Sequence, residues 1–223
     1  MNDQQRIRPL SPKREEKFRK VVSQRQFNLT VILENVHDPH NIGAVMRTCD
    51  AVGVKEIFIL YTDILLKGEN IAVGAKASSG AKKWVDIHLF NDTAACFKEV
   101  KSKYDLILST HLAKDAKSLH QLDLTQSVAL LFGNEHAGVS PAALAYSDGN
   151  FIIPQMGMVQ SLNISVACAV TLYEALRQRN EKGLYGENNP STPAEREALF
   201  KSYYDLHEQK LIHRKESSAS GSK

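Results

Sequence analysis

The fold predicted from the sequence is a parallel α/β sheet covered by helices on both faces. Three observations predict it. Short apolar runs with no polar face, such as Leu29 to Leu33 and Val128 to Phe132, read as strands buried on both sides. Stretches of helical periodicity alternate with them. Several of those stretches open on Asp-Pro or Ser-Pro and close on Gly, which are helix start and stop signals.

The elements follow in order. Ser11-Pro12 opens a basic helix to about Gln26. Leu29 to Leu33 is the first strand. Asp38-Pro39 opens a helix through Val52, closed by Gly53. Ile57 to Tyr61 is the second strand. Glu69 to Lys83 reads as a short helix within a mobile loop. Trp84 to Phe90 is a strand, and Asp92 caps a helix to about Lys103. Asp105 to Ser109 and Val128 to Phe132 are strands separated by loop over 111–126. Ser140-Pro141 starts a short helix. Phe151 to Ile153 is the last strand. The helix after Ser161 runs to about Arg179 and stops at Gly183. A linker, YGENNPSTP, leads to an amphipathic helix with Leu199, Tyr203, Leu206 and Leu211 on one stripe. The tail KESSASGSK is of low complexity and reads as disordered.

This pattern divides the 223 residues into a basic N-terminal helical arm over 1–27, an α/β domain over 28–182, a linker and helix over 183–214, and a tail over 215–223. No run reaches about eighteen apolar residues, so no membrane span is expected. The first residues lack the apolar core of a secretory signal. Cys49, Cys96 and Cys168 stand far apart, with no CxxC, as reduced core thiols of a cytoplasmic protein do. Charge is uneven along the chain. Residues 1–27 carry eight Lys/Arg against three Asp/Glu, whereas 28–176 carry eleven against fifteen. A basic arm tracks phosphates, or is a solvated surface helix.

In an open parallel sheet, ligands bind beyond the carboxyl ends of the strands. The loop after the first strand, ENVHDPHNIGAVMRTCDAVG, has no GxGxxG, which weighs against a dinucleotide oxidoreductase. No Walker A motif or nucleophile elbow is present, and no histidine set has metal-ligand spacing. Arg47 lies off the apolar stripe of its helix, among Gly43, Ala44 and Ala51. It is open to a bulky ligand, or pairs with Asp50. Thr110-His111, Gly133 with Glu135, and Ser161 with Asn163 each follow a strand, and together they outline one crevice.

Three stretches carry a resemblance: NVHDPHNIGAVMRTCDAVGV, LLFGNEHAGVS and IIPQMGMVQSLNISVACAVTLYEALRQR. They resemble, in order and spacing, the motifs of the SPOUT superfamily of RNA ribose methyltransferases, closest to the TrmH-type tRNA (guanosine-2′-O)-methyltransferases. The resemblance covers about residues 29–180. It implies a C-terminal trefoil knot, S-adenosylmethionine as cofactor, and a homodimer through the knot helices. It implies 2′-O-methylation of a tRNA guanosine ribose, at D-loop position 18. A ribosomal RNA ribose methyltransferase and a non-catalytic RNA-binding protein are the alternatives. The catalytic set carried over is Asn41, Arg47, Glu135, Ser161 and Asn163. Cofactor contacts would come from Thr110, His111, Gly133, Ile153, Met158 and Leu162. The basic arm, through Arg14, Arg19 and Lys20, would grip tRNA phosphates, joined by Lys82 and Lys83.

Overall fold

The computed structural model describes residues 10–63, 80–113, 115–158 and 161–220, with the backbone alone over 210–220. Seven parallel strands form one sheet: β1 Leu29–Glu34, β2 Glu56–Leu60, β3 Asp86–Phe90, β4 Leu106–Thr110, β5 Lys117–Ser118, β6 Val128–Phe132 and β7 Gly149–Ile152. Their order is β3-β2-β1-β6-β4-β7-β5. The helices are α1 Pro12–Gln24, α2 Pro39–Val52, α3 Thr93–Lys101, α4 Pro141–Leu144, α5 Ile164–Glu181 and α6 Pro193–Ser220.

Period-two alternation sorts the strand side chains into two apolar layers. Val31, Ile57 and Leu130 face one layer, completed by α2 and α5 through Met46, Cys49, Cys168 and Leu172. Ile32, Phe58 and Leu131 face the other, completed by α3 and α4 through Phe97, Val100 and Ala143. All three cysteines are free and buried. The local signals explain most helix ends. Asp38 caps α2 by accepting from the His40 backbone N at 2.8 Å, and Gly53 closes it at φ 88°. Asp92 caps α3 through the Ala95 backbone N.

Some boundaries differ from those expected from the sequence. The stretch 111–126 is not all loop, because Lys117–Ser118 pairs with β7. Two residues carry no periodicity, so nothing local marks them. Only 81–83 of the stretch Glu69–Lys83 can be described beyond Gly80, as a single 3-10 turn, and 64–79 lie outside the described residues. Helix α6 runs through Ser220, past the boundary that composition set at residue 214.

The chain divides into two units. Residues 25–190 form the sheet unit, and 1–24 with 191–223 form a helical unit. In the helical unit, α1 pairs with α6. The Phe18 ring meets Tyr203 edge-on at 6.1 Å, and Leu199 and Phe200 are buried.

One buried charge anchors the amino end of β2. The Glu56 carboxylate is 2.9 Å from His88 Nε2 and accepts from Tyr104 at 3.0 Å, with Lys55 and Lys103 at 3.3 and 3.4 Å. Burial opposes its ionisation. The hydrogen bond from His88, the two ammonium charges and the hydrogen bond from Tyr104 outweigh burial and hold the carboxyl far below its ordinary value of 4.5. A lowered carboxylate pKa contributes stability above the unfolded-state value, and that contribution fades as pH falls below it. Glu56→Gln is therefore expected to lose about 2 kcal/mol at neutral pH. Urea unfolding should show the gap from wild type narrowing by about pH 3. An equal gap at both pH values would contradict the assignment.

Candidate active site

The carboxyl ends of β4, β6 and β7 and the start of α5 enclose a cavity of about 610 Å³. Its walls include Thr110, His111, Gly133, Glu135, Ile153, Ser161 and Leu162, seven of the positions singled out in the sequence. Phe132 and Phe151 are apolar walls, their rings edge-on at 6.4 Å. Gly133 is required by close approach. A Cβ there would lie 2.2 Å from the carbonyl group of Gly138 and from the Val139 N. The loop doubles back on itself, with Asn134 N donating to Gly138 O at 3.0 Å and Gly138 N to Asn134 O at 2.9 Å. Gly138, at φ 69°, makes that return.

A chain of side chains from three segments sits at the cavity edge. Asn163 caps α5, its Oδ1 accepting from the Ser165 N at 2.9 Å. Its Nδ2 donates to Asn41 Oδ1 at 3.1 Å, and Asn41 Nδ2 donates to Glu135 Oε1 at 2.7 Å. Each amide has a defined orientation, because Glu135 can only accept when ionised. The capping role therefore falls to Asn163 among the polar residues before α5. Asn41 and Glu135 are separated by 94 residues, and Asn41 and Asn163 by 122.

Other expected residues are not brought to this cavity. Met158 is 98% exposed and does not line it. Arg47 is exposed on α2, further along the helix than Asn41, and lines neither this cavity nor its neighbour. The surface pair Arg47–Asp50 is not formed. Asp50 instead binds Arg25, which is 1% exposed and also donates to the Val54 carbonyl at 3.1 Å. Arg25 is thus a buried anchor rather than part of a phosphate-tracking arm. In the helical unit, Arg19 is engaged by Glu15 at 2.9 Å and Glu197 at 3.5 Å and lies over the Phe200 ring at 4.1 Å. Arg14 and Lys20 are exposed on α1, and Lys82 and Lys83 are exposed on their turn.

Two residues that the sequence did not single out hold the site together. Asn35, at the end of β1, is the one described non-glycine residue with positive φ, at 50°. Its Oδ1 accepts from the backbone N of Thr62 and Asp63, joining the ends of β1 and β2. Asn134 accepts from the His136 and Ala137 backbone N and donates to the Asn35 carbonyl at 2.9 Å. The loop carrying Glu135 is thereby tied to β1. An Asn at a strand end is the residue type that tolerates a left-handed turn, and this is the signal the sequence offers. Tyr61 donates to the Val36 carbonyl at 3.1 Å, and burial, with Glu135 nearby, pushes its hydroxyl pKa up to about 12.

The model of the SpoU rRNA Methylase family matches residues 28–173. The chain belongs to this family. The match spans the whole of the cavity and the Asn163–Asn41–Glu135 chain. Among family relatives, the tRNA (guanosine(18)-2′-O)-methyltransferase of Thermus thermophilus is 42% identical over 179 residues, covering 80% of this chain and 90% of that relative. The solved TrmH/SpoU tRNA modifying enzyme of A. aeolicus superposes with a TM-score of 0.77 at 36% identity, over 88% of this chain and 96% of that one. The SpoU methyltransferase AviRb of Streptomyces viridochromogenes, solved in complex with AdoMet, superposes with a TM-score of 0.61 at 27% identity, over 70% of this chain and 62% of that one.

Proposed function

We propose that this protein transfers a methyl group from S-adenosylmethionine to the ribose 2′-oxygen of guanosine 18 in tRNA. The observation that carries this reading is the chemistry of the cavity. Among the described residues lining it there is no Lys or Arg, and Glu135 is the one carboxylate. Such walls suit a cofactor with an apolar ring and a cationic centre, and they disfavour a phosphate-bearing dinucleotide. The close approach at Gly133 presents backbone to the ligand where any side chain would collide.

S-adenosylmethionine, when bound, supplies a methyl group on a positively charged sulfur. Thr110, His111, Gly133, Ile153 and Leu162 would hold it, and Ser161 shapes the mouth. The ribose hydroxyl is weakly acidic and gives up its proton to solvent water as the new C–O bond forms and the methyl–sulfur bond breaks. The part proposed for the Arg47 guanidinium is to stabilise the oxygen as negative charge develops. Asn41 and Asn163 fix Glu135, and Glu135 orients the ribose.

A second copy of the chain completes the assembly. Val166, Val170 and Tyr173 are 46, 38 and 54% exposed on α5 at spacings of four and three, one apolar face of that helix. A homodimer through this face would cover it, and α2, which carries Arg47, packs on α5. A trefoil knot fits the strand order. What supports it is the insertion of the late strand β7 between the earlier strands β4 and β5. Arg14, Lys20, Lys82 and Lys83 would meet tRNA phosphates, with Arg19 serving the helical unit first. Acting on tRNA, the protein works in the cytoplasm. No described helix is long and apolar enough to cross a membrane.

The test is transfer of labelled methyl to an unmodified tRNA transcript, beside the same transcript altered at guanosine 18. Label on the unaltered transcript alone is the expected result. Label on both would move the target to another nucleotide. Label on neither, followed by label on ribosomal RNA, would replace the substrate.

A further inference from the structure

Glu34, the last residue of β1, is 1% exposed. It shares a strand face with Ile32, two residues earlier, in the layer completed by α3 and α4. Burial, with the Glu34 charge nearby, pushes the Cys96 thiol of that layer up to about 12. A buried carboxylate is costly unless its oxygens are filled. Among the described residues no cation pairs with Glu34, and both oxygens go to one residue. Ser140 donates its backbone N–H to Oε2 at 2.8 Å and its hydroxyl to Oε1. Helix capping does not require this arrangement. Ser140 Oγ caps α4 by accepting from the Ala143 N at 3.2 Å, and a serine caps a helix without a carboxylate behind it.

The carboxylate instead seats a loop. Residues 133–140 lead from β6 to α4 and carry Glu135. Near the start of this loop, Asn134 Nδ2 donates to the carbonyl of Asn35, the residue after Glu34. At its end, Ser140 is held by Glu34. Two successive residues of β1 thus grip both ends, with Glu135 between them, 2.7 Å from Asn41 Nδ2. Glu34 lines neither the cavity of the candidate site nor its neighbour. We infer that Glu34 is a positioning residue for methyl transfer, holding through Ser140 the loop that sets Glu135 against Asn41. The inference rests on the role proposed above for Glu135 and adds what fixes it in place.

The test is a set of variants assayed for labelled-methyl transfer to tRNA, with turnover counted per S-adenosylmethionine-binding site. Any unfolded fraction then drops out. Glu34→Leu suits the apolar layer but leaves both Ser140 donors unmet. It is expected to lower kcat about 10-fold. The KM for tRNA and the cofactor affinity should stay within about threefold. Glu34→Gln should recover most of the loss, because its amide oxygen accepts from the Ser140 N–H and its nitrogen donates to the hydroxyl. Ser140→Ala keeps the backbone bond and should lower kcat less than Glu34→Leu. Combined with Glu34→Leu it should add no further loss, since both changes break one contact. A residue serving only the fold would leave kcat per site unchanged in Glu34→Leu, and that result overturns the inference. So does Glu34→Gln falling as far as Glu34→Leu. If Glu34→Leu does not fold, Ser140→Ala decides, and an unchanged kcat there overturns it. A wild type that methylates no tRNA overturns the proposed function instead, and this inference falls with it.

Discussion

Arg47→Ala is expected to lower methyl transfer by about 10²- to 10³-fold while leaving cofactor affinity unchanged. The reasoning begins with what Arg47 lacks. Its nearest carboxylate in sequence, Asp50, is held by the buried Arg25. No ion pair or hydrogen bond engages the Arg47 guanidinium among the described residues. A charged group left exposed with small neighbours along its helix does little for the fold, so its removal should cost little stability. It lines neither cavity, so cofactor binding should not change. What remains is a fixed positive charge able to meet an oxygen that gains negative charge during transfer. Labelled-methyl transfer and equilibrium dialysis of S-adenosylmethionine check the two halves separately. Turnover like that of wild type would remove Arg47 from the reaction. Lost cofactor affinity would make it a binding residue instead.

Arg179→Ala is expected to lower the unfolding free energy by about 3–5 kcal/mol, because several buried neutral acceptors lose their donor at once. Arg179 lies in the last turn of α5 and is fully buried. Its Nε donates to the Leu124 carbonyl at 2.9 Å. One terminal nitrogen donates to Gln26 Oε1 and Asn28 Oδ1 at 2.8 and 2.6 Å, the other to the Gln126 and Asn28 carbonyls at 2.6 and 3.3 Å. All of these acceptors are neutral. Burial pulls the guanidinium pKa down to about 10, so it stays charged at neutral pH. Alanine strands these acceptors in a dry site, and each unsatisfied group costs about 1–3 kcal/mol before relaxation or water entry. Arg179→Lys should recover only part of the loss, since one ammonium cannot span the same fork. Urea unfolding measures both variants. A loss of less than about 1 kcal/mol for the alanine variant would mean that the site relaxes as a surface would.

Much of the candidate site is legible in the amino-acid sequence because its signals are local or lie at strand ends. Asp38-Pro39 marks the start of α2, and the turn it opens places Asn41 near the sheet's carboxyl edge. The apolar run Val128–Phe132 ends where Gly133 and Glu135 must emerge. The roles of Asn35 and Asn134 are not legible there, because each depends on a partner distant in the chain, 99 residues away for the bond that joins them.

By itself the sequence determined the parallel α/β class, the alternation of its elements, most helix caps, and the edge of the sheet where the candidate site lies. Period, capping chemistry and apolar runs act within a few residues, so they can be read in one dimension. The tertiary structure alone decided the strand order, the pairing of α1 with α6 in one helical unit, and the fate of individual charges. Arg25, Arg179 and Arg47 look alike in sequence. The first is a buried anchor to Asp50, the second a buried fork on neutral acceptors, and the third is exposed. Which of them an arginine becomes depends on what desolvates it and which acceptors converge on it. Those are set by segments that meet only when the chain has folded.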